Sequence, residues 1–464
     1  MVFRILIASC SVALMAGCTS LSTPYLRPDL PAGPSWPAPG PAGPVRAGAD
    51  QWWTAFGDPN LTMLVGEVVV RNNDVFAAAL RAQRARLQAD LAARALFPKL
   101  SGSLATSQAE PLRRNAASTS SSSASVGVSY EVDLWGRLSA QRDAAAFEAD
   151  ATAEDYEAAR LATIGMAIET YFRIAHANQS IATAEKSLAY VREIQNLVRK
   201  QAQGGAVSDL EMREIEQTVE TQAARMSELL QARLVQRNVL AVLLNGAPNP
   251  VPEPQRLPRT TLPAIAAGLP AELLARRPDL RAAEARLRGA LRGADSIRAG
   301  FYPQISLTGG LGTSSDQLIS FIANPVATVG AGAVLSFLNV RDMKLAVGVS
   351  RLQYEETVAA FRTTLLAAFA DVANALGARA NHAEQARRLH KAFEAAREVE
   401  KLTEAQYRAG AITLRAWLDS QERRRTVETA LADVRLAQFV NEATLFRALG
   451  GSTTVTGRPT SPIR

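Results

Sequence analysis

Two hydrophobic periods alternate along this chain, and each of them returns. From Leu138 to Gln203 and from Asp342 to Ala409 there is no proline and little glycine: Gly165 in the first stretch, Gly348 and Gly377 in the second. Ala, Leu, Glu, Arg and Gln dominate both stretches, and such residues lose little entropy in a helix. Apolar residues step by three and four through Leu161, Ile164, Ile168, Tyr171 and Ala175, and again through Val358, Phe361, Leu365, Ala368, Val372 and Ala375. That spacing predicts a coiled-coil seam on helices roughly 100 Å long, at about 1.5 Å per residue. An ordinary helix bundle has a similar seam but seldom helices of this length.

Elsewhere the period is two. Val126, Val128, Tyr130, Val132 and Leu134 alternate with Gly127, Ser129, Glu131 and Asp133. Ile305, Leu307, Gly309 and Leu311 alternate with Ser306, Thr308, Gly310 and Gly312. Ala327, Val329, Ala331, Ala333, Leu335 and Phe337 form another such series, and Leu100, Gly102, Leu104 and Thr106 a weaker one. The pattern predicts strands near 99–107, 125–134, 304–312 and 327–337, each about the length a membrane β-strand needs. Soluble hairpins packed on helices would alternate in the same way. In lipid, the apolar face would be the lipid face. The sheet would also have to close, because open edges leave backbone groups unsatisfied. Four strands cannot close a barrel, since about eight is the practical minimum. Two chains would give a filled eight-stranded barrel, and three a twelve-stranded one with room for a pore. The serine run Ser118 to Ser123, with Arg113 and Arg114, reads as a flexible outer loop; so does the more apolar stretch from Ser314 to Pro325, with Leu318, Ile319, Phe321 and Ile322.

The chain is also a repeat. Leu96-Phe97-Pro98-Lys99-Leu100-Ser101 returns 205 positions later as Phe301-Tyr302-Pro303-Gln304-Ile305-Ser306. Gly205-Ala206-Val207-Ser208 returns at that offset as Gly410-Ala411-Ile412-Thr413, while Asn245-Gly246 matches Leu449-Gly450 one position short of it. Each half reads as helix, strand, loop, strand, very long helix, turn, helix, which is a duplicated fold unit. Gly204, Gly205 and Gly410 are placed to end the long helices in the left-handed conformation. The expected organisation is a signal at 1–17, a tether at 18–50, a first repeat at 51–250, a linker at 251–269, a second repeat at 270–450 and a tail at 451–464. The fold class is mainly α with membrane β.

At the N-terminus, Arg4 precedes an apolar run from Ile5 to Ala16, then Gly17-Cys18. The run suits the core of a signal peptide and is short for a bilayer span. Ala16-Gly17-Cys18 resembles the bacterial lipobox, with Met15 where leucine is usual and Leu14 one place earlier. Cys18 is therefore expected to become the first residue and to carry lipid, the only covalent group expected; no cofactor is expected. Pro24 to Pro44 holds eight prolines and should be an extended tether without a core.

Composition narrows the chemistry. With 464 residues, 47% hydrophobic and only 6% aromatic, the chain suits long Ala-rich helices better than one large core. Its +7 charge is spread over both signs along the helices, as on solvated faces and not as a nucleic-acid patch. Both cysteines, Cys10 and Cys18, lie at the N-terminus, so the body has no disulfide. His176, His382 and His390 stand in no metal motif, and there is no P-loop or nucleophile elbow, so no enzyme is expected.

Three groups of residues carry a family resemblance: Trp52-Trp53-Thr54-Ala55-Phe56-Gly57-Asp58-Pro59-Asn60-Leu61; Leu273-Leu274-Ala275-Arg276-Arg277-Pro278-Asp279-Leu280 with Ala283-Glu284; and Tyr407-Arg408-Ala409-Gly410 with Trp417-Leu418-Asp419-Ser420-Gln421. Together they make the chain similar to the outer-membrane factor family, of the TolC and OprM type, in its lipoprotein branch, over nearly the whole mature length. The resemblance implies a homotrimer in the Gram-negative outer membrane. Its twelve-stranded β-barrel, four strands per chain, would continue into an α-helical barrel in the periplasm. It implies a passive duct that meets an inner-membrane pump through a periplasmic adaptor and exports small molecules. It also implies a periplasmic aperture at which Asp419 matches an acidic position and Tyr407 a tyrosine. Ala416 stands where some members carry a second aspartate. Glu422, with Arg423 beside it, stands where a relative has arginine. Glu211 and Arg213 match polar positions of the first repeat. Trp52, Trp53 and Phe56 are expected to pack around the helices, and Arg277, Pro278 and Asp279 to be structural. Other readings are an exit duct for protein or peptide secretion, a periplasmic adaptor, which would have one hairpin between β domains, or a non-transporting coiled-coil scaffold, which would not need four membrane-length strands.

Overall fold

A computed structural model describes residues 21–29, 45–46, 51–110, 119–205, 207–259, 262–263, 265–266, 273–315 and 325–451. The signal segment, Cys18, much of the proline-rich stretch, Arg113 and Arg114, and Leu318 to Ile322 lie outside the described residues. In chain order the elements are β1 (Val45–Arg46), α1 (Pro59–Arg71), α2 (Asn73–Arg94), β2 (Lys99–Ala109), β3 (Thr119–Val132), α3 (Arg137–Gln203), α4 (Asp209–Leu243), β4 (Ile265–Ala266), α5 (Leu273–Arg276), α6 (Pro278–Ala299), β5 (Gln304–Ser315), β6 (Pro325–Val334), α7 (Val340–Arg408) and α8 (Leu414–Ala448). The repeat is visible in the lengths. α2 and α6 have 22 residues each, α4 and α8 have 35 each, and the long α3 and α7 have 67 and 69. No helix among the described residues is both long and apolar enough to cross a membrane.

The residues group into two compact units, and each unit takes pieces of both repeats. One contains the described N-terminal residues with 80–154 and 281–364. Its centre is a four-stranded antiparallel sheet in the order β2-β3-β5-β6. The register sets the apolar positions opposite one another. Val128 lies between Leu100 and Gly309, Val126 between Gly102 and Leu311, and Leu311 opposite Ala327. Around these positions one face is mainly Val, Leu, Ala and Gly and the other mostly Ser, Thr and Gly; further along, the first face turns polar at Thr106 and Ser122. β2 and β6 are exposed along their whole lengths, and each pairs on one side only.

The strand limits correct the sequence reading. Thr119 to Ser123, within the expected serine loop, is strand: Ser122 pairs with Thr106, and their hydroxyls lie 3.2 Å apart. Backbone pairing needs no apolar alternation, so serines extend the ladder. Ser314 and Ser315 likewise belong to β5. β3 stops at Val132 because Asp133 turns to cap α3, accepting the N–H groups of Leu138 at 2.9 Å and Ser139 at 2.8 Å. β6 stops at Val334, opposite Gln304, because the preceding Pro303 has no N–H to continue the ladder. Leu335 is not strand, and Phe337 lies in a 3-10 turn.

The expected tether is also corrected in part. Residues 21–29 form neither helix nor strand and are held on α6 by two buried carboxylates, Asp295 (2% exposed) and Glu284 (8%). Thr23 donates its N–H (2.9 Å) and its hydroxyl (2.6 Å) to Asp295. Arg27 donates to Glu284 at 2.7 Å, the Tyr25 hydroxyl donates to Glu284 at 3.3 Å, and the Arg288 guanidinium lies over the Tyr25 ring. Arg27 and Arg288 hold Glu284 below the usual carboxylate range, although burial alone would raise it.

The second unit holds the described residues within 32–79, 155–280 and 365–464. Its core is aromatic. Trp52, Trp53 and Phe56 are buried with Phe172, Phe439 and Phe446, and Trp52 stacks on Phe446 at 4.6 Å. Asp58 caps α1 through the N–H of Asn60, with Pro59 at the first helical position, and accepts the Tyr171 hydroxyl at 2.7 Å. β1 and β4 form a short parallel pair. Arg277 grips Asp279 at 2.7 Å, Asp371 at 3.1 Å and the Ala448 carbonyl at 3.3 Å, a structural role at the start of α6. Glu442, 1% exposed, faces Arg379 at 3.0 Å. Burial pushes its carboxyl up to about 7, against the pull of Arg379.

Candidate functional site

The predicted site residues gather at the two turns that end the long helices. At the end of α3, Gly205 has φ +69° and donates its N–H to the Ala202 carbonyl, with Gly204 just before it. At the end of α7, Gly410 has φ +72°. Its N–H bonds the Tyr407 carbonyl, and the N–H of Ala411 bonds the Gln406 carbonyl. That pair of bonds is the Schellman closure, which needs a residue tolerant of the left-handed region. Each following helix is capped by a hydroxyl residue. Ser208 accepts from the Glu211 N–H and Thr413 from the Ala416 N–H.

Behind the turns the hairpins share one apolar cluster. Val191, Ile194 and Val198 of α3, Ile215 and Val219 of α4, and Leu414, Trp417 and Leu418 of α8 are buried together. Tyr407 packs on it, stacked on Trp417 at 5.0 Å, and its hydroxyl donates to Gln201 at 3.2 Å. Burial, with the Glu211 charge nearby, pushes the Tyr407 phenol up, so it stays a protonated donor. Tyr190 meets the edge of Trp417 at 6.3 Å. Burial and the charges of Glu404 and Glu400 push it to about 12.

The other candidates stand apart. Glu211 serves its own helix end, where its carboxylate accepts the Ser208 N–H at 2.9 Å and completes a capping box. Arg213 pairs with Glu216. Glu422 is exposed and pairs with Arg425 at 2.6 Å. Asp419 is exposed, with no hydrogen bond or ion pair among the described residues, although Leu418 and Ser420 beside it are buried. Position 416 is alanine, so this turn carries no second aspartate there.

Several neighbours were not among the residues expected at the aperture, although Ser420 and Gln421 stand in the motif quoted for the resemblance. Gln201 anchors Tyr407. Ser420 shares a hydrogen bond with Thr403 at 2.7 Å. Arg424 joins Glu400 and Glu428 in a half-buried cluster. Gln421 is fully buried, with neither amide atom hydrogen-bonded. The steps from Trp417 through Ser420 and Gln421 to Arg424 are three and four, and that spacing was the available signal. No cluster of His, Cys, Asp or Glu that could hold a metal occurs among the described residues.

Known proteins share this fold. The family profile described as Outer membrane efflux protein matches residues 64–246 and again 269–451, one match per repeat. The pyoverdine export outer membrane protein OpmQ of Pseudomonas putida is 32% identical over 95% of this chain and 96% of its own. The toluene efflux pump outer membrane protein TtgC of the same species is 30% identical over 94% and 93%. The open-state MtrE outer membrane channel of Neisseria gonorrhoeae superposes with a TM-score of 0.83 at 28% identity, over 94% of this chain and all of that one. Two profile matches, relatives along nearly the full length and a shared channel fold converge: the chain belongs to the outer membrane efflux protein family, trimeric channels in which a helical barrel joins a β-barrel with four strands from each chain.

Proposed function

We propose that this member of an outer-membrane efflux family is the passive exit duct of a three-part pump. A periplasmic adaptor would dock it to an inner-membrane transporter, which supplies the energy. Two relatives named for pyoverdine and toluene favour small organic molecules as cargo. Lipid on Cys18 would add an anchor beside the barrel, worth only marginal membrane attachment alone. Mass spectrometry of the mature protein tests that anchor; an unmodified N-terminus at another residue contradicts it.

Asp419 carries the reading of the aperture. It is an exposed charged side chain with no hydrogen bond or ion pair among the described residues, beside the buried Leu418 and Ser420. Three copies would set three carboxylates around the mouth and favour cations there. Tyr407, Glu211 and Glu422 would frame the same opening, with the turns at Gly204, Gly205 and Gly410 as its rim. Opening would be a shift between two packings of the hairpins, biased by the adaptor. Asp419→Ala should raise the conductance of the purified trimer in planar bilayers and weaken block by multivalent cations added on the periplasmic side. If neither changes, Asp419 is no part of the gate. Recovery of an adaptor and pump cross-linked to the duct tests the three-part assembly, and a protein that assembles and supports no export removes it.

A further inference from the structure

Buried polar groups in proteins are nearly always paired, and one side chain beside the aperture is not. Gln421 is 0% exposed, and neither its carbonyl oxygen nor its amide nitrogen has a hydrogen-bond partner among the described residues. One turn earlier the indole nitrogen of Trp417, 2% exposed, has none either. Leaving such a group unmet costs more than a typical hydrogen bond contributes. Full burial also limits what could answer it. A neighbouring copy, an adaptor or a passing solute cannot reach an amide that solvent does not touch, so a partner has to come from the chain's own helices. Asp419, two residues before it, is the opposite case, exposed and open to all of these.

Gln421 stands on a boundary. Leu414, Trp417 and Leu418 begin a stripe of α8 and belong to the apolar cluster with α3 and α4. Arg425 and Glu428 continue that stripe at steps of three and four, and they line a cleft of about 550 Å³ between the same three helices. The boundary runs through the facing helices as well. On α3, Leu188 and Val191 lie in the cluster, whereas Thr183 and Ser187 line the cleft. On α4, Val219 lies in the cluster, whereas Thr221 and Gln222 line the cleft. The amide of Gln421 is thus held among apolar side chains, one turn short of hydroxyls and amides that could bond it.

We propose that Gln421 is a positioning residue of the aperture. Unpaired in this packing, it favours a second one in which the end of the α7–α8 hairpin is displaced along α3 and α4 and the amide enters the cleft. The far part of α8 stays in place, because Phe439 and Phe446 are fixed in the aromatic core. Near the turn, α8 is tied to α7 through Ser420 and Thr403 at 2.7 Å and through Arg424 and Glu400, so the two helices move as one and carry Asp419 with them. The hydrogen bond from Tyr407 to Gln201, which joins α7 to α3, opposes the displacement. Gln421 and Tyr407 therefore pull the balance between the two packings in opposite directions. This inference rests on the reading of the hairpin ends as the mouth of a duct.

Planar-bilayer recordings of the full-length trimer test it, with spontaneous openings counted for the unmodified protein, Gln421→Leu and Gln421→Glu. Leucine fills similar space and has no polar atom to pair. It should make openings about tenfold rarer and raise the unfolding midpoint of the solubilised trimer by a few degrees. Glutamate puts a charge in the same apolar place, and should make openings more frequent and lower the midpoint. A side chain that merely fills space would move the midpoint without ordering the openings in this way. Gln421→Leu protein that unfolds earlier, or that no longer runs as a heat-sensitive trimer on a gel, overturns the inference, because the amide was then satisfied where it stands. Openings that neither substitution changes overturn it too. An unmodified trimer that never conducts removes the duct reading itself, and this inference with it.

Discussion

The aromatic core and the four-stranded sheet handle apolar surface in opposite ways. Trp52 and Trp53 are each 1% exposed and Phe172 and Phe446 not at all, whereas Leu104 is 83% and Val329 95% exposed. Hydrophobicity does not separate the two sets. What separates them is who supplies the covering: the chain buries its own tryptophans, and lipid and further copies must cover the sheet. Folding of the chain and completion of the channel are thus two events driven by the same force on different residues.

Four substitutions probe that division. Trp52→Ala empties the centre of the core, where its ring stacks on Phe446, and should cost about 3–5 kcal/mol. A lowered unfolding midpoint of the detergent-solubilised protein checks this, and an unchanged midpoint would mean that the core does not depend on that ring. Val128→Arg places a charge on the apolar face of the sheet. Near the middle of the membrane it should cost about 2–4 kcal/mol per chain and abolish the heat-sensitive trimer while the helices still fold. Ser129→Arg, on the other face, should assemble; the reverse result would exchange the lipid and lumen faces. The smallest effect concerns Glu442. The unfolded chain releases this proton near pH 4.5, while the folded one keeps it to about 7. Stability should therefore fall as pH rises across that window, by less than about 1.4 kcal/mol per pH unit. Glu442→Gln should flatten that slope, and parallel slopes for both proteins would assign the dependence to another group.

The sequence already contained much of this architecture, and its omissions share a physical origin. Seam residues such as Ile164, Ile168, Leu365 and Val372 are buried as their spacing predicts, because a helical period constrains every turn. The turns were legible at Gly205 and Gly410, since few other residues tolerate their φ. At the end of α4 both Asn245, φ +55°, and Gly246, φ +74°, are left-handed, and at the end of α8 Gly450 is, φ +74°. Gly246 thus matches Gly450 in φ at the offset of 204 read from the sequence, while the closing bonds, Gly246 N–H to the Ala241 carbonyl and Gly451 N–H to the Phe446 carbonyl, match at 205. Thr119 to Ser123 gave no sign of being strand, since serines that pair through their backbones carry no apolar alternation. Among the candidate site residues, Ser208 and Glu211 could have been recognised as a capping box from their three-residue spacing. The anchoring of Tyr407 by Gln201 could not, because it joins residues of different repeats.

The N-terminal strap has a consequence for the order in which the molecule is made. Thr23 bonds Asp295, a partner 272 residues further along the chain. A polypeptide that emerges N-terminus first carries Thr23, Tyr25 and Arg27 without their acceptors until α6 has followed, and closing so long a loop is slow compared with forming a hairpin. The strap is therefore among the last pieces to lock. A chain cut short before α6 has nothing to receive it, so the docked strap registers that the first repeat has been joined by the start of the second.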